Sequence, residues 1–546
     1  MRYAARGTHR QASRLAIEQP EIAMRIVELI PGTGGNFYCE NCIRDLSLVR
    51  ELRRLGHDPI LVPLYLPLRG PFSSGAPETQ VFFGGVNVYL QQKSALFRKT
   101  PRWLDRIFDA PALLNWAAQR VGMTNAKDLA DTTLSMLRGE DGHQAKELDR
   151  LIAWLVAEAR PDVVCLSNAL LVGVVRRIKA ELKVPVVCWL QDEDIFLDHL
   201  PEPARAQAWQ IVAERGAEVD AFVAVSRYFA DHMASRIALP PNRLHVIYNG
   251  IWLEGYEPAE APPNPPAIGF LERACPDMGL DTLVETFISL RREGEAPAEP
   301  LSSVPRSACP TVPTQSTAGQ ASRGTGEGLL CHGRLARPCS PSSLPAASEE
   351  TPDTAGQASR GTTEQPAPSG SAGASPSPAS PRRNVVPGGL RLRAAGGSLP
   401  ADEPFLRSVR QSLVDAGLAR DAEFLPNLDR PSKQAFFRTL SVLSVPTRHG
   451  EAFGMYVLES LASGVPVVLP RHGAFPELVE ATGGGLLYDP EEPGALAAAL
   501  QQVLSDPELA RQLAARGRQA VFDHFDVRQT AQQVVSLLEG IVSKER

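Results

Sequence analysis

The chain has 546 residues, 43 % of them apolar, which is too long for one ordinary domain and normal in composition for a globular protein. A net charge of −6 excludes a general basic field for nucleic acid. No apolar run approaches the roughly 18 residues that a membrane-spanning helix needs.

Residues 1–23 carry Arg2, Arg6, Arg10 and Arg14 without the apolar core of a secretion signal, and read as a disordered basic tail, or as a stretch preceding a natural start at Met24. Eight cysteines, scattered and outside any dense framework, fit a reducing cytoplasm better than a disulfide scaffold. From Met24 the pattern is strand, glycine loop, helix, strand: "RIVELI", "PGTGGNFYCENC", "LSLVRELRRLGH", "DPILVPLYL". This order opens a doubly wound α/β domain, predicted over 24–258, whose ligands bind at strand C-termini.

The stretch from about 91 to 156 reads as a helical subdomain, with Trp103, Leu104, Ile107 and Phe108 on one amphipathic face. That face packs on the core or leaves peripheral contact with a membrane surface open. Buried parallel strands then resume in "PDVVCLS", "VPVVCWLQDEDIF", "VDAFVAVS" and "RLHVIYNG". After the Pro-rich "EPAEAPPNPPA", a second domain over 259–546 starts with "IGFLERACPDMGLDTLVETFISLRR".

Residues 294–387 interrupt it. They are dominated by Pro, Ser, Ala, Gly and Thr, and "TAGQASRGT" occurs twice, at 317–325 and 354–362. Such a composition buries too little apolar surface to offset chain entropy, so a disordered insertion is expected. It separates a helix from the strand-like "LRLRAAGG", elements that a few residues normally join. The alternation continues through "AEFLPNL", "LSVLSVPT", "VPVVLP" and "GGGLLYD", and closes with helices between Pro493 and Val542.

The densest chemistry lies in "HGEAFGMYVLESLASGVPVVLP". Glu451 and Glu459 flank a glycine turn that opens a short helix. Gly454 lets backbone approach a ligand, the helix start offers unpaired N–H groups to phosphate oxygens, and the two carboxylates can accept hydrogen bonds from sugar hydroxyls. The chemistry indicated is glycosyl transfer.

Together with "NGI" at 249–251, "GLDTLVETF" at 279–287 and "GAFPELVEATGGGLLYDP" at 473–490, this motif resembles the retaining glycosyltransferases of family 4. The resemblance implies the GT-B fold: two Rossmann-like doubly wound domains facing each other across a cleft, the first for the acceptor and the second for a nucleotide-sugar donor. It implies a UDP- or GDP-linked donor as substrate, no metal and no other cofactor. Glu459 would take the ribose hydroxyls and Glu451 the transferred sugar, while Phe453, Gly454 and Met455 present backbone. Gly34 and Gly35 would approach the diphosphate or the acceptor from the first domain.

Two departures from the family pattern stand out. Phe270 and Met278 occupy positions where the family commonly has the Arg and Lys that neutralise the diphosphate. Arg273 is the substitute expected here, with Arg448 and Arg471 as further candidates. Gln191 stands where many relatives have a histidine facing the acceptor, followed by Asp192, Glu193 and Asp194. Asp192 is the expected catalytic carboxylate, accepting or positioning the acceptor's proton, unless the acidic run caps the next helix. Cys39 and Cys42 lie at the expected start of the first helix and pack structurally, or act in redox chemistry, or join Cys165 and Cys188 around zinc.

The expected protein is thus a cytoplasmic hexosyltransferase acting on a hydroxyl of a glycan, lipid or small molecule, with no nucleic-acid partner. A non-catalytic nucleotide- or glycan-binding protein of the same fold, or a nucleotide-sugar epimerase, are the alternatives.

Overall fold

The computed structural model describes residues 23–32, 40–65, 82–83, 88, 91–92, 126–295, 389–398 and 400–545. Gly34, Gly35, Cys39, all of the tail but Ala23, the Trp103 face and all but the first two residues of the expected insertion lie outside them.

The first sheet contains β1 (Arg25–Ile30), β2 (Asp58–Pro63), β3 (Val163–Leu166), β4 (Val186–Leu190), β5 (Ala221–Ala224) and β6 (Leu244–Val246). All pairings are parallel, in the order β2-β1-β3-β4-β5-β6. Short runs of Val, Ile, Leu and Cys make these strands, and β3, β4 and β5 are buried along their whole length, as helices on both faces of a parallel sheet require.

The second sheet contains β7 (Ala267–Leu271), β8 (Arg391–Gly396), β9 (Ala422–Pro426), β10 (Val442–Leu443), β11 (Val467–Pro470) and β12 (Gly485–Tyr488). Its order is β12-β11-β10-β7-β8-β9, again parallel. The chain therefore has the GT-B fold, two doubly wound sheets each with a reversal of strand order. The reversals lie between β1 and β3 and between β7 and β10, and loops after strands near these points carry the residues considered below.

β7 and β8 are direct neighbours although the helix Leu280–Glu295 ends almost a hundred residues before Arg391. The helix runs through Glu295, so its last two residues fall inside the span expected for the insertion.

The chain passes between the two sheets twice, and the passages are bonded to each other. Ile251 N–H donates to the Phe525 carbonyl at 2.9 Å, and Val527 N–H to the Ile251 carbonyl at 3.1 Å. A Cβ on Gly250 would stand 2.6 Å from Val527 N, so only glycine lets the passages lie this close. The closing helix Val527–Glu545 then packs on the first helix, Glu40–Arg54.

Glu28 sits within β1 with 0 % exposure, beside Asp45 and Cys165. Burial, reinforced by Asp45, pushes its carboxyl from the ordinary 4.5 up to about 8. The folded state therefore binds a proton that the unfolded chain releases near pH 4.5, and stability is lost as pH rises through about 8. The expected result is a melting temperature that falls between pH 5 and 8, with a contribution near 1.4 kcal/mol per pH unit from a fully shifted group. Glu28→Gln should flatten that slope; an unchanged slope would show that Glu28 is ionised in the fold.

Candidate active site

Glu451 lies in the loop between β10 and the helix Met455–Ala462 and is 5 % exposed. Gly454 opens that helix at φ +87°, a conformation open to glycine without steric cost. Phe453 is fully buried, its ring 6.2 Å from that of Tyr248 in the first domain. Met455 begins the helix, and its N–H is one of the group that has no acceptor within the helix.

Glu459, one turn further, is 3 % exposed and forms an ion pair with Lys433 of the helix Arg430–Phe437. The Tyr256 hydroxyl donates to the same carboxylate oxygen at 2.6 Å. Lys433 and Tyr256 carry no periodic or motif signal, so nothing in the sequence marks them.

Asp192 follows β4 and occupies the cap position of the short helix Glu193–Asp198 at φ +64°, but its side chain makes no capping bond. Its Oδ1 is buried without a hydrogen-bond partner. The capping alternative for this residue is thus not realised through its side chain.

Another carboxylate of the first domain joins Asp192 and Glu451. Glu40 starts the first helix, inside the "CENC" that sequence reasoning considered only for its cysteines. Single carboxylate oxygens of Glu40, Asp192 and Glu451 lie within 4.8 Å of one another. Glu272, directly after β7, adds a fourth charge to the same region.

These groups hold their protons unusually well. Burial first, then Glu451, Glu272 and Asp192, pushes Glu40 well above the usual carboxylate range. Glu451 is raised by burial and then by Asp192 and Glu272. Asp192 is pushed up to about 7 by burial and Asp194, and Glu272 to about 7 by burial with a further rise from Asp192. A carboxyl poised near neutrality can act as a proton acceptor at physiological pH.

Two of the three basic residues expected around a diphosphate are engaged elsewhere. Arg273 forms a two-pronged ion pair with Asp402, at 2.8 and 3.0 Å. Arg448 binds Asp281 at 2.6 Å, and Arg471 is exposed just after β11. Phe270 is fully buried in β7, and Met278 packs against the core. Three carboxylate oxygens this close can share a divalent cation as readily as a set of sugar hydroxyls. Among the described residues this is the one group of three or more with the spacing to hold a metal. Cys165 and Cys188 are not in it, and burial pushes both thiols well above their ordinary range, which disfavours the thiolate that zinc requires.

Each domain lends a glutamate to a helix start in the other. Glu40 Oε1 accepts from Met455 N–H at 2.6 Å. Glu477 accepts from the N–H groups of Arg227 and Tyr228, at 3.2 and 3.3 Å, where the helix Arg227–Ile237 begins, and from the Tyr248 hydroxyl at 3.1 Å. Ser226 Oγ also donates to the Ala452 carbonyl at 2.7 Å. The Glu451 loop and the first domain are therefore held together by several direct bonds.

Comparison with known proteins points the same way. The signature of the glycosyl transferases group 1 family matches residues 388–520, and that of glycosyltransferase family 4 matches residues 135–254. The D-inositol 3-phosphate glycosyltransferase of Acidothermus cellulolyticus is 31 % identical over 157 residues, 29 % of this chain and 34 % of the relative. The GDP-mannose-dependent alpha-(1-6)-phosphatidylinositol monomannoside mannosyltransferase of Mycolicibacterium smegmatis is 28 % identical over 143 residues, 25 % of this chain and 37 % of the relative. The chain thus spans about a third of the length of these curated relatives. Among solved structures, sucrose-phosphate synthase from Thermosynechococcus elongatus aligns over 95 % of this chain and 100 % of its own, with a TM-score of 0.58 and 15 % identity. The Anabaena protein HepE, in complex with UDP and glucose, aligns over the same shares with a TM-score of 0.58 and 12 % identity. Among the described residues, no helix is long and apolar enough to cross a membrane.

Proposed function

We propose that this GT-B protein, similar in both halves to glycosyltransferases, moves a hexose-type sugar from a UDP- or GDP-linked donor to an acceptor hydroxyl with retention of configuration. The observation that carries the reading is the seat of Glu451, Gly454, Met455 and Glu459 around one helix start, opposite Asp192. Glu459 takes the ribose hydroxyls and Glu451 the hydroxyls of the transferred sugar. Asp192, with its raised proton affinity, accepts or positions the proton of the attacking hydroxyl. Bond breaking leads through an oxocarbenium-like state, with attack on the face the diphosphate leaves. The GDP-mannose dependence of one relative supports a nucleotide-linked donor. The acceptor is a glycan, lipid or small molecule. The buried thiols Cys165, Cys188 and Cys275, none in a disulfide, support a cytoplasmic setting.

A second reading has a specific observation behind it. With Phe270 buried, Met278 packed against the core and Arg273 paired to Asp402, the two family positions lack their cations and the expected substitute is engaged, which favours a binding protein without turnover. Titration of UDP, GDP and a panel of their sugars, followed by NMR of the product anomer, separates the two. Turnover with a retained anomer is the expected result, and it should persist in EDTA. Loss in EDTA restored by Mg²⁺ would replace the metal-free reaction with one using an ion on Glu40, Asp192 and Glu451. Binding without turnover under either condition would establish the second reading, and absence of any nucleotide binding would overturn both.

A further inference from the structure

We propose that Glu40 is an intramolecular competitor of the donor, and that Gln191 is the positioning residue that keeps it in place. The inference rests on the glycosyl-transfer reading and concerns how that same site is regulated.

The N–H groups at a helix start have no partner within the helix and are natural seats for a phosphate or sugar oxygen. In the motif helix Met455–Ala462 the Met455 N–H is taken by Glu40 Oε1 at 2.6 Å, a short contact made from the other domain. One N–H cannot serve two acceptors in full. A donor oxygen seeking the same N–H would also have to enter a space that the Glu40, Asp192 and Glu451 carboxyl oxygens already occupy, within 4.8 Å of one another. A donor that uses this helix start must therefore move Glu40 aside.

Glu40 is held from behind. Its second oxygen accepts from Gln191 Nε2 at 3.2 Å. Gln191 is fully buried at the end of β4, and its Oε1 accepts from Arg44 Nη1 at 2.9 Å and Asn249 Nδ2 at 3.2 Å. Arg44 is fixed in turn by Asp45 and the Ser167 carbonyl, both at 2.7 Å, and lies 4.6 Å over the Trp189 ring. An amide suits the middle of this chain because it donates at one end and accepts at the other without titrating. The core of the first domain is thus connected through two side chains to the head of the donor helix.

The test is calorimetric titration of the full chain with UDP and with GDP. Glu40→Ala should tighten binding of whichever nucleotide the wild type prefers by about tenfold, and the near-isosteric Glu40→Gln by a smaller factor. Gln191→Ala should tighten it by about threefold, and this gain should vanish in the Glu40→Ala background, since Gln191 acts only through Glu40. Melting temperatures are measured in parallel. A purely structural Gln191 would lower the melting temperature in both backgrounds and would weaken binding, not strengthen it. Protection of the Met455 amide against hydrogen exchange should fall in both Glu40 variants. Binding that is unchanged or weaker in both Glu40 variants, at wild-type melting temperature, overturns this inference alone. Binding detected only after Glu40 is replaced supports it. Absence of binding in every variant overturns it together with the glycosyl-transfer reading.

Discussion

Glu459→Ala should lower the stability of the fold by about 3–5 kcal/mol, as well as removing the carboxylate assigned to the ribose. Glu459 and Lys433 are 3 % and 5 % exposed, so the ion pair is made in the interior. Removing the carboxylate leaves a buried ammonium beside Tyr256, whose hydroxyl also loses its acceptor at 2.6 Å. A fall of many degrees in melting temperature is the expected reading, and a small one would mean that Lys433 is satisfied by solvent or by neighbouring groups such as Glu272 when Glu459 is gone. The stability effect can be separated from the binding effect. In Glu459→Leu combined with Lys433→Met both charges are removed, and apolar replacement of a buried pair is often close to neutral. That double variant should recover most of the melting temperature yet bind no nucleotide. Recovery of both would assign the ribose contact elsewhere.

Gly473→Ala should reduce turnover by about 100-fold or more without touching a reacting group. Gly473 has φ +61°, and a Cβ there would stand 2.4 Å from Glu451 N and 2.7 Å from Glu451 O. The neighbouring Ala474 N–H donates to that same carbonyl at 2.9 Å, so the two loops move as one. The added methyl pushes on backbone, which cannot swing away as a side chain would, and Glu451 is carried with it. A displacement near 1 Å is enough for a loss of this size. Gly417→Ala supplies the control, because Gly417 also has positive φ, at +74°, but nothing lies within 4 Å of the new methyl. That variant should lose about 1–2 kcal/mol of stability from backbone strain and keep its turnover. Equal turnover losses in the two variants would mean that strain alone, and not the position of Glu451, is responsible.

Most of the fold was legible because parallel strands announce themselves. "RIVELI", "PDVVCLS", "VDAFVAVS" and "VPVVLP" are short β-branched runs closed by turns, and each contains a strand of one of the two sheets. The motif around Glu451 and Glu459 was legible because glycine and a helix start occupy fixed offsets, and Gly454 does take positive φ. Glu40 was not legible. Its neighbours Cys39 and Cys42 drew attention to thiol chemistry, whereas the role of Glu40 depends on a bond to Met455, 415 positions away in the chain. Lys433 and Tyr256 meet Glu459 only through tertiary packing, which leaves no local trace. The substitute cation expected in Arg273 has a simple physical competitor, since Asp402 offers it two oxygens at bonding distance.

The paired passages at Ile251 and Asp526 give the molecule a spine, like that of a book. With both linkers bonded at one place and Gly250 pressed against Val527, a parting of the two halves that kept these bonds would be a swing about that line. Such a swing separates Glu40 from Met455 and Glu477 from Arg227 and Tyr228 in the same movement. The two glutamates thus form a double clasp, and a molecule that enters by such a swing undoes both.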